Sequence, residues 1–361
     1  MSPEAPEIPP RVAAASAALD AVEGPLSGYH HETYVFPLPA EAGTGFQGRW
    51  KCREPRANLL WFDRRCFESE ERLLYELQRR IDVIPEVARM GGDVDLQRFI
   101  EGSTLGALHP SGRAVPDELV EQILGLFRQL GTVTASTLLV ERRCTPQDRA
   151  EDGDSAGFLD RLICFTQEQV YERNLIEYKG LFADLGLDPE AFRQLRKRVA
   201  GLRDRPFCLL HADLHRENFI VDPDGKLWAI DWELAMFGDP LYDLATHLHL
   251  MGYPPAQERL IVQRWCGIVE EVRPGSSRGW CDDLPRLLDF KKAQSVFTDV
   301  IRASQILDTQ GEFDRQRLRR AAWKLRGVLT AAAEPLGLES VPGLLETEAA
   351  LTRWRSDHEP T

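Results

Sequence analysis

Residues 206–233, PFCLLHADLHRENFIVDPDGKLWAIDWE, constrain this chain more than any other segment. Apolar Leu209 and Leu210 read as the end of a strand and run straight into a dense polar loop of His211, Asp213, His215, Arg216, Glu217 and Asn218. Asp222-Pro223-Asp224-Gly225 then places proline and glycine where a tight turn wants them. Leu227, Ala229 and Ile230 read as a return strand that brings Asp231 back beside the loop. A hairpin that returns a carboxylate to a loop already holding aspartate and asparagine has the geometry of a metal and phosphate site.

The rest of the chain can be read as walls around it. Its 361 residues suffice for two domains or lobes with a large core. A hydrophobic share of 43% and a charged share of 28% are an ordinary globular balance. No run of about 18 apolar residues occurs, so no membrane span is expected. The start MSPEAPEIPP lacks the basic and apolar parts of a secretory signal. Seven scattered cysteines without a Cys-x-x-Cys pair suit a reducing cytoplasm, not a disulfide scaffold or a zinc finger. The net charge of −13 argues against a nucleic-acid partner, and it suits either a cationic small molecule or simply the acidic surface common on cytosolic enzymes.

In chain order, residues 1–24 read as an N-terminal extension, Pro/Glu-rich and disordered at first, then Ala-rich and helical over 11–22. Residues 25–102 read as a small strand-containing lobe. Strands are expected at Tyr34–Leu38 and Arg49–Arg53, with Lys51 and Arg53 on one face. Helical periodicity covers Leu59–Ile81, with Leu73, Leu74 and Leu77 as its apolar stripe. Two further strands flank Gly91-Gly92. Residues 103–361 read as mostly helical, with spans at 116–139, 157–183, 189–203, 256–272, 284–307, 312–334 and 343–355. The class is α+β.

Asp213, Asn218 and Asp231 carry a specific chemistry. Phosphoryl transfer asks for a carboxylate that orients a hydroxyl and accepts its proton, plus an amide oxygen and a second carboxylate for Mg²⁺. Mg²⁺ takes few protein oxygens and keeps several waters. The competing reading makes His211, Asp213 and His215 transition-metal ligands. It leaves Asn218 and Asp231 without a purpose, and no further His/Cys cluster completes the shell. A Walker loop is missing from the sequence.

The H-x-D-x-x-x-x-N loop, the I-D-W-E exit and the G-D-P-x-x-D-L-A that follows resemble, over about residues 205–250, the aminoglycoside phosphotransferase family. That family is related to choline and homoserine kinases and shares the protein-kinase-like fold. The resemblance implies a two-lobed α+β protein, with an antiparallel nucleotide-binding N-lobe and a helical C-lobe. It implies that Asp213 is the catalytic base, that Asn218 and Asp231 hold Mg²⁺, and that His211, His215 and Asp243 support the loop. Arg216-Glu217 replaces the common Pro-Gly and would stand on the acceptor side. GYHHETYVF resembles the loop that covers the nucleotide, which brings in Gly28 and His31. Lys51, with Arg53 as rival, would bind phosphate and pair with Glu70 or Glu71, and Gln97–Gly102, including Phe99 and Ile100, would meet the adenine.

The cofactors so implied are ATP or GTP with Mg²⁺, and the acceptor is a hydroxyl of a small molecule, antibiotic or metabolite. The alternatives are a same-fold kinase acting on Ser/Thr of a peptide in lanthipeptide-type maturation, and a non-catalytic nucleotide-binding pseudokinase. Acceptor walls are expected from residues 144–200 and 255–355. There Glu151, Asp152, Asp154, Glu168, Glu172 and Glu177 would suit amines or else form a solvated helix face, and Phe158, Phe165, Tyr171 and Tyr178 would suit a less polar molecule.

Overall fold

A computed structural model of the chain describes residues 9, 12–13, 16, 19–27, 31–38, 48–55, 64–89, 95–308 and 314–358. Gly28, the glycine-rich connection before Arg49, Leu59 and Gly91-Gly92 lie outside the described residues, as does most of the N-terminal extension. The chain divides into two compact units, residues 1–144, 208–237 and 250–273 against residues 145–207, 238–249 and 274–361. The lobe border expected near residue 102 lies inside the first.

The first unit is built on strands β1 (Glu23–Ser27), β2 (His31–Pro37), β3 (Arg49–Pro55), β4 (Val87–Arg89) and β5 (Asp95–Arg98). They form one antiparallel sheet in the order β1-β2-β3-β5-β4. β2 and β3 pair without slippage, from His31 opposite Pro55 to Pro37 opposite Arg49. Side chains alternate along a strand, so Trp50 and Cys52 enter a core with Tyr34, Phe36, Ala88 and Leu96. The same alternation turns Lys51 and Arg53 to the opposite face.

On that face Arg53 meets helix α1 (Glu70–Leu77). Ser69 caps α1 by accepting from the Arg72 backbone N–H at 3.2 Å, and Glu70 and Glu71 suit the positive end of the helix dipole. Leu73, Leu74 and Leu77 bury its apolar stripe. The cap explains why α1 is shorter than the helical period suggests. Residues just before it are extended, with Phe67 bridged to Arg142.

Five short strands carry the polar loop. They are β6 (Ser103–Thr104), β7 (Cys208–Leu210), β8 (Phe219–Val221), β9 (Leu227–Ala229) and β10 (Met236–Gly238). β8 and β9 form the expected hairpin, β6 pairs with β8, and β10 pairs with β7. Asp222 makes the turn by accepting from the N–H groups of Asp224 (3.0 Å) and Lys226 (2.9 Å). Gly102, at φ +146, passes so close to β8 that a Cβ there would collide with the Val221 carbonyl. Helices α2 (Leu105–Leu108), α3 (Asp117–Thr132) and Pro255–Val272 complete the unit, with Phe127 set edge-on to Trp265 at 6.5 Å.

The second unit is helical. Tyr171, Phe182, Phe192 and Phe297 form its aromatic centre, with neighbouring rings 4.6 to 5.8 Å apart. The helix expected over 157–183 is interrupted by a π-turn at Thr166–Tyr171, beyond which a new helix starts at Leu175. Arg205 is fully buried and bonds Asp239 at 2.8 to 3.0 Å, Asp283 at 2.8 Å and the Arg278 carbonyl at 2.7 Å. Such a charge is tolerable inside only because it is paired. Asp239 also accepts from the Leu241 N–H at 2.9 Å, starting helix Pro240–Met251. Among the described residues no helix is long and apolar enough to cross a membrane.

Candidate active site

β7 ends at a sharp turn in which Ala212 takes φ +66, a conformation uncommon for a residue with a side chain. Beside it the fully buried His211 sets its Nε2 3.1 Å from the Ile230 carbonyl and packs its ring on Trp232. His211 therefore ties the loop to the hairpin exit. Burial pulls its pKa down to about 4 despite the opposing charge of Asp213, so the imidazole is neutral at pH 7.

Asn218 donates from Nδ2 to Asp213 twice, to the carbonyl at 2.9 Å and to carboxylate Oδ2 at 3.0 Å. These bonds occupy the amino side of the amide and turn Oδ1 away from Asp213. His215 Nε2 lies 3.5 Å from Asp213 Oδ2, and its Nδ1 accepts from the Glu217 N–H at 3.1 Å. Burial pulls His215 down, but Asp213, Asp231 and Glu217 outweigh it and leave its pKa raised.

Asp231 is delivered by β9 and held at φ +65. Arg53 donates to its Oδ1 at 2.8 Å and also bonds Glu70 in α1. Glu70 in turn accepts from the Trp232 N–H at 3.0 Å, so α1, β3 and the residues around Asp231 form one knot. Arg53 and Glu70 are only 12% and 7% exposed, whereas the Asp231 carboxylate is 38% exposed and open on one side. Glu233 accepts from Arg65 at 2.7 Å and from Arg53 at 3.5 Å, with His31 Nδ1 at 3.6 Å.

The charges shift one another. Burial opposes the Arg53 cation, but Glu70, Asp231 and Glu233 raise its pKa further. Burial would raise Glu70, yet Arg53 and Lys51 bring it below its ordinary value. Burial raises Asp231 against the pull of Arg53. Burial and then Asp231 push Glu233 up to about 7, against Arg65 and Arg53. Lys51 lies on the same face of β3, opposite Gln97, and burial and Arg53 lower its pKa.

The structure thus gathers His211, Asp213, His215 and Asn218 in one loop, and His31, Arg53, Glu70 and Asp231 around one ion-pair network. Phe99 and Ile100 follow β5. The Phe99 N–H donates to the Arg49 carbonyl at 2.9 Å, and the Arg49 guanidinium lies over its ring. Asp243 is buried within the second unit. A cleft of about 580 Å³ opens beside Arg53, Arg65, Glu70, Trp232 and Glu233 and does not reach Asp213 or Asn218.

Several expectations need correction. Arg216 does not stand on the acceptor side: its guanidinium is buried and bonds three backbone carbonyls. Glu217 is the exposed member of the pair, and its carboxylate rests against Gly106. Phe158, Tyr171 and Tyr178 are core residues of the second unit. Asp152 holds the Phe207 N–H and Asp154 caps helix Ser155–Phe165 through the Gly157 N–H. Sequence reading missed Arg65, which lies in a stretch of helical period and shows no signal of its own.

The donors also decide which metal suits the site. His211 and His215 diverge, one toward Ile230 and the other toward Asp213 and Glu217, so they do not converge on an ion. Among the described residues no group of three or more His, Cys, Asp or Glu could hold a metal. An amide oxygen and an exposed carboxylate fit a hard, largely hydrated cation such as Mg²⁺.

The family to which the chain belongs defines its class as a phosphotransferase. The profile of the phosphotransferase enzyme family matches residues 90–287, more than half of the chain, and the chain belongs to that family. Among solved structures, the macrolide 2′-phosphotransferase MphH from Brachybacterium faecium is similar at 17% identity over 91% of this chain and 96% of that one, with a TM-score of 0.51. The choline kinase LicA from Streptococcus pneumoniae matches at 17% identity over 85% and 94%, with a TM-score of 0.47. Aminoglycoside phosphotransferase APH(4)-Ia, in a ternary complex with ADP and hygromycin B, matches at 14% identity over 94% and 95%, with a TM-score of 0.46. The fold is protein-kinase-like, with a small antiparallel sheet toward the N-terminus and a mostly helical remainder.

Proposed function

We propose that this phosphotransferase moves the γ-phosphoryl group of ATP or GTP to a hydroxyl of a small molecule with the help of Mg²⁺. The observation that carries the reading is the Asn218 bond to the Asp213 carboxylate at 3.0 Å, with Asp231 anchored by Arg53 at the hairpin exit. Asp213 orients the acceptor hydroxyl and takes its proton as the phosphoryl group arrives. Asn218 Oδ1 and the exposed side of Asp231 would hold Mg²⁺, which supplies charge neutralisation on the phosphates when bound. Arg53 braces α1 and Asp231 into register, and Lys51 adds a second cation on the same face. The presence of all three of Asp213, Asn218 and Asp231 argues against a silent nucleotide-binding role.

The acceptor is a small hydroxylated molecule, and the net charge of −13 favours a cationic one. Nucleotide consumption with Mg²⁺ should be screened against aminoglycosides, macrolides, nucleosides, amino alcohols and Ser/Thr peptides. With the acceptor so identified, Asp213→Asn is expected to lower kcat by ~10²-fold or more while nucleotide affinity stays nearly unchanged. Wild-type turnover in that variant would remove Asp213 from the role of base.

A further inference from the structure

We propose that Arg216 is a positioning residue that fixes the metal-facing orientation of Asn218; the inference rests on the phosphotransfer reading of that asparagine. Arg216 is 4% exposed. Its Nε donates to the Met251 carbonyl at 2.7 Å, Nη2 to the Arg113 carbonyl at 2.9 Å, and Nη1 to the His109 carbonyl. The Tyr253 ring lies 5.6 Å from it. These partners are carbonyl dipoles and an aromatic face, so a full charge is buried among neutral groups.

An apolar side chain at this position would avoid desolvating a charge but would leave three carbonyls without their donor. What the guanidinium does is gather separate segments onto one turn. Residues 109–113 follow α2, Met251 ends a helix, and both meet Arg216. The two outer segments are also tied to each other by the Gly112 N–H, which donates to the Gly252 carbonyl at 2.8 Å. Gly252, at φ +55, leaves no space for a Cβ against Ser111.

Arg216 opens the single 3₁₀ turn Arg216–Asn218, and Asn218 is its third residue. The two residues share one turn of backbone, so the anchored first residue limits how far the third can move. The Asn218 N–H closes the turn onto the His215 carbonyl at 3.0 Å, and its amide then reaches Asp213. The three carbonyl bonds of Arg216 are therefore transmitted to the Asn218 amide. Arg216 itself touches neither Asp213 nor Asp231.

The test is nucleotide affinity by titration calorimetry on the full chain, with Mg²⁺ and with EDTA, for wild type, Arg216→Met and Arg216→Lys. Melting curves run alongside show whether each variant folds. Arg216→Met is expected to weaken affinity for ATP or GTP by ~10-fold in Mg²⁺ and to leave it unchanged in EDTA, the size of effect typical of groups that orient a metal ligand. Arg216→Lys, which keeps the charge and fewer donors, is expected to recover part of the loss. If Arg216→Met does not fold, Arg216→Lys carries the same comparison with a smaller expected loss. Equal Mg²⁺-linked enhancement in variant and wild type, or an equal loss in Mg²⁺ and EDTA, would overturn the inference. A wild type that binds nucleotide no better with Mg²⁺ than with EDTA would overturn the phosphotransfer reading itself.

Discussion

At the scale of single residues, His211 connects the polar loop of residues 211–218 to the strand that delivers Asp231, and it does so as a buried neutral imidazole. Burial holds its pKa near 4, whereas an unfolded chain has about 6.5 for the same group. Between those values the unfolded chain binds a proton that the folded one refuses. The contribution to stability is therefore complete above about pH 6.5 and is lost as pH falls toward 4, to an extent of ~3 kcal/mol. The denaturant midpoint is expected to fall between about pH 7 and pH 4.5, and less steeply in His211→Gln than in wild type. Parallel pH profiles would show that another group titrates. Ala212 and Asp231, next to the two ends of this contact, both adopt the left-handed conformation. Such backbone persists where the surroundings over-determine it, here at the two ends of the His211–Ile230 contact.

Among the elements, the junction of β3 and α1 decides how the site is held. Sequence periodicity places Lys51 and Arg53 on one strand face, and of the two candidate partners, Glu70 and Glu71, Glu70 fits the leucine spacing better. The folded chain separates them. Glu70 binds Arg53, while Glu71 binds Gln97 Nε2 at 3.1 Å and the Ser69 hydroxyl at 2.9 Å. Removing one partner of a buried ion pair strands the other, at a cost of about 3–5 kcal/mol. A double-mutant cycle of Arg53→Met and Glu70→Gln, read by chemical unfolding, should therefore show a coupling of ~1 kcal/mol or more. Additive single effects would mean that the pair is not a unit. Lys51→Ala and Arg53→Ala compared by nucleotide affinity should both weaken binding, and a change in neither would remove β3 from the nucleotide site.

For the whole molecule, the parts legible in the sequence are those that depend on near neighbours. The Asp222–Gly225 turn, the β8–β9 hairpin and the leucine stripe of α1 each follow from residues within one turn or one strand. The order of loop, hairpin and returning carboxylate follows in the same way. What could not be read is set by contacts across long stretches of chain. Arg53 reaches Asp231 across 178 positions and Arg216 reaches His109 across 107, and neither pairing leaves a periodic trace. Arg216 looked like an exposed neighbour of the acceptor because charged residues are rarely buried, and three carbonyls reverse that expectation here. Phe158, Tyr171 and Tyr178 were open to an acceptor role for the opposite reason, since an aromatic residue suits a core as well as a pocket. The most direct measurement is nucleotide affinity with Mg²⁺ and with EDTA for wild type and Asp231→Ala. The expected result is a ~10-fold or larger gain from Mg²⁺ in wild type that disappears in the variant. The same gain in both proteins would contradict Asp231 as a metal ligand, and with it the site at which phosphoryl transfer is placed.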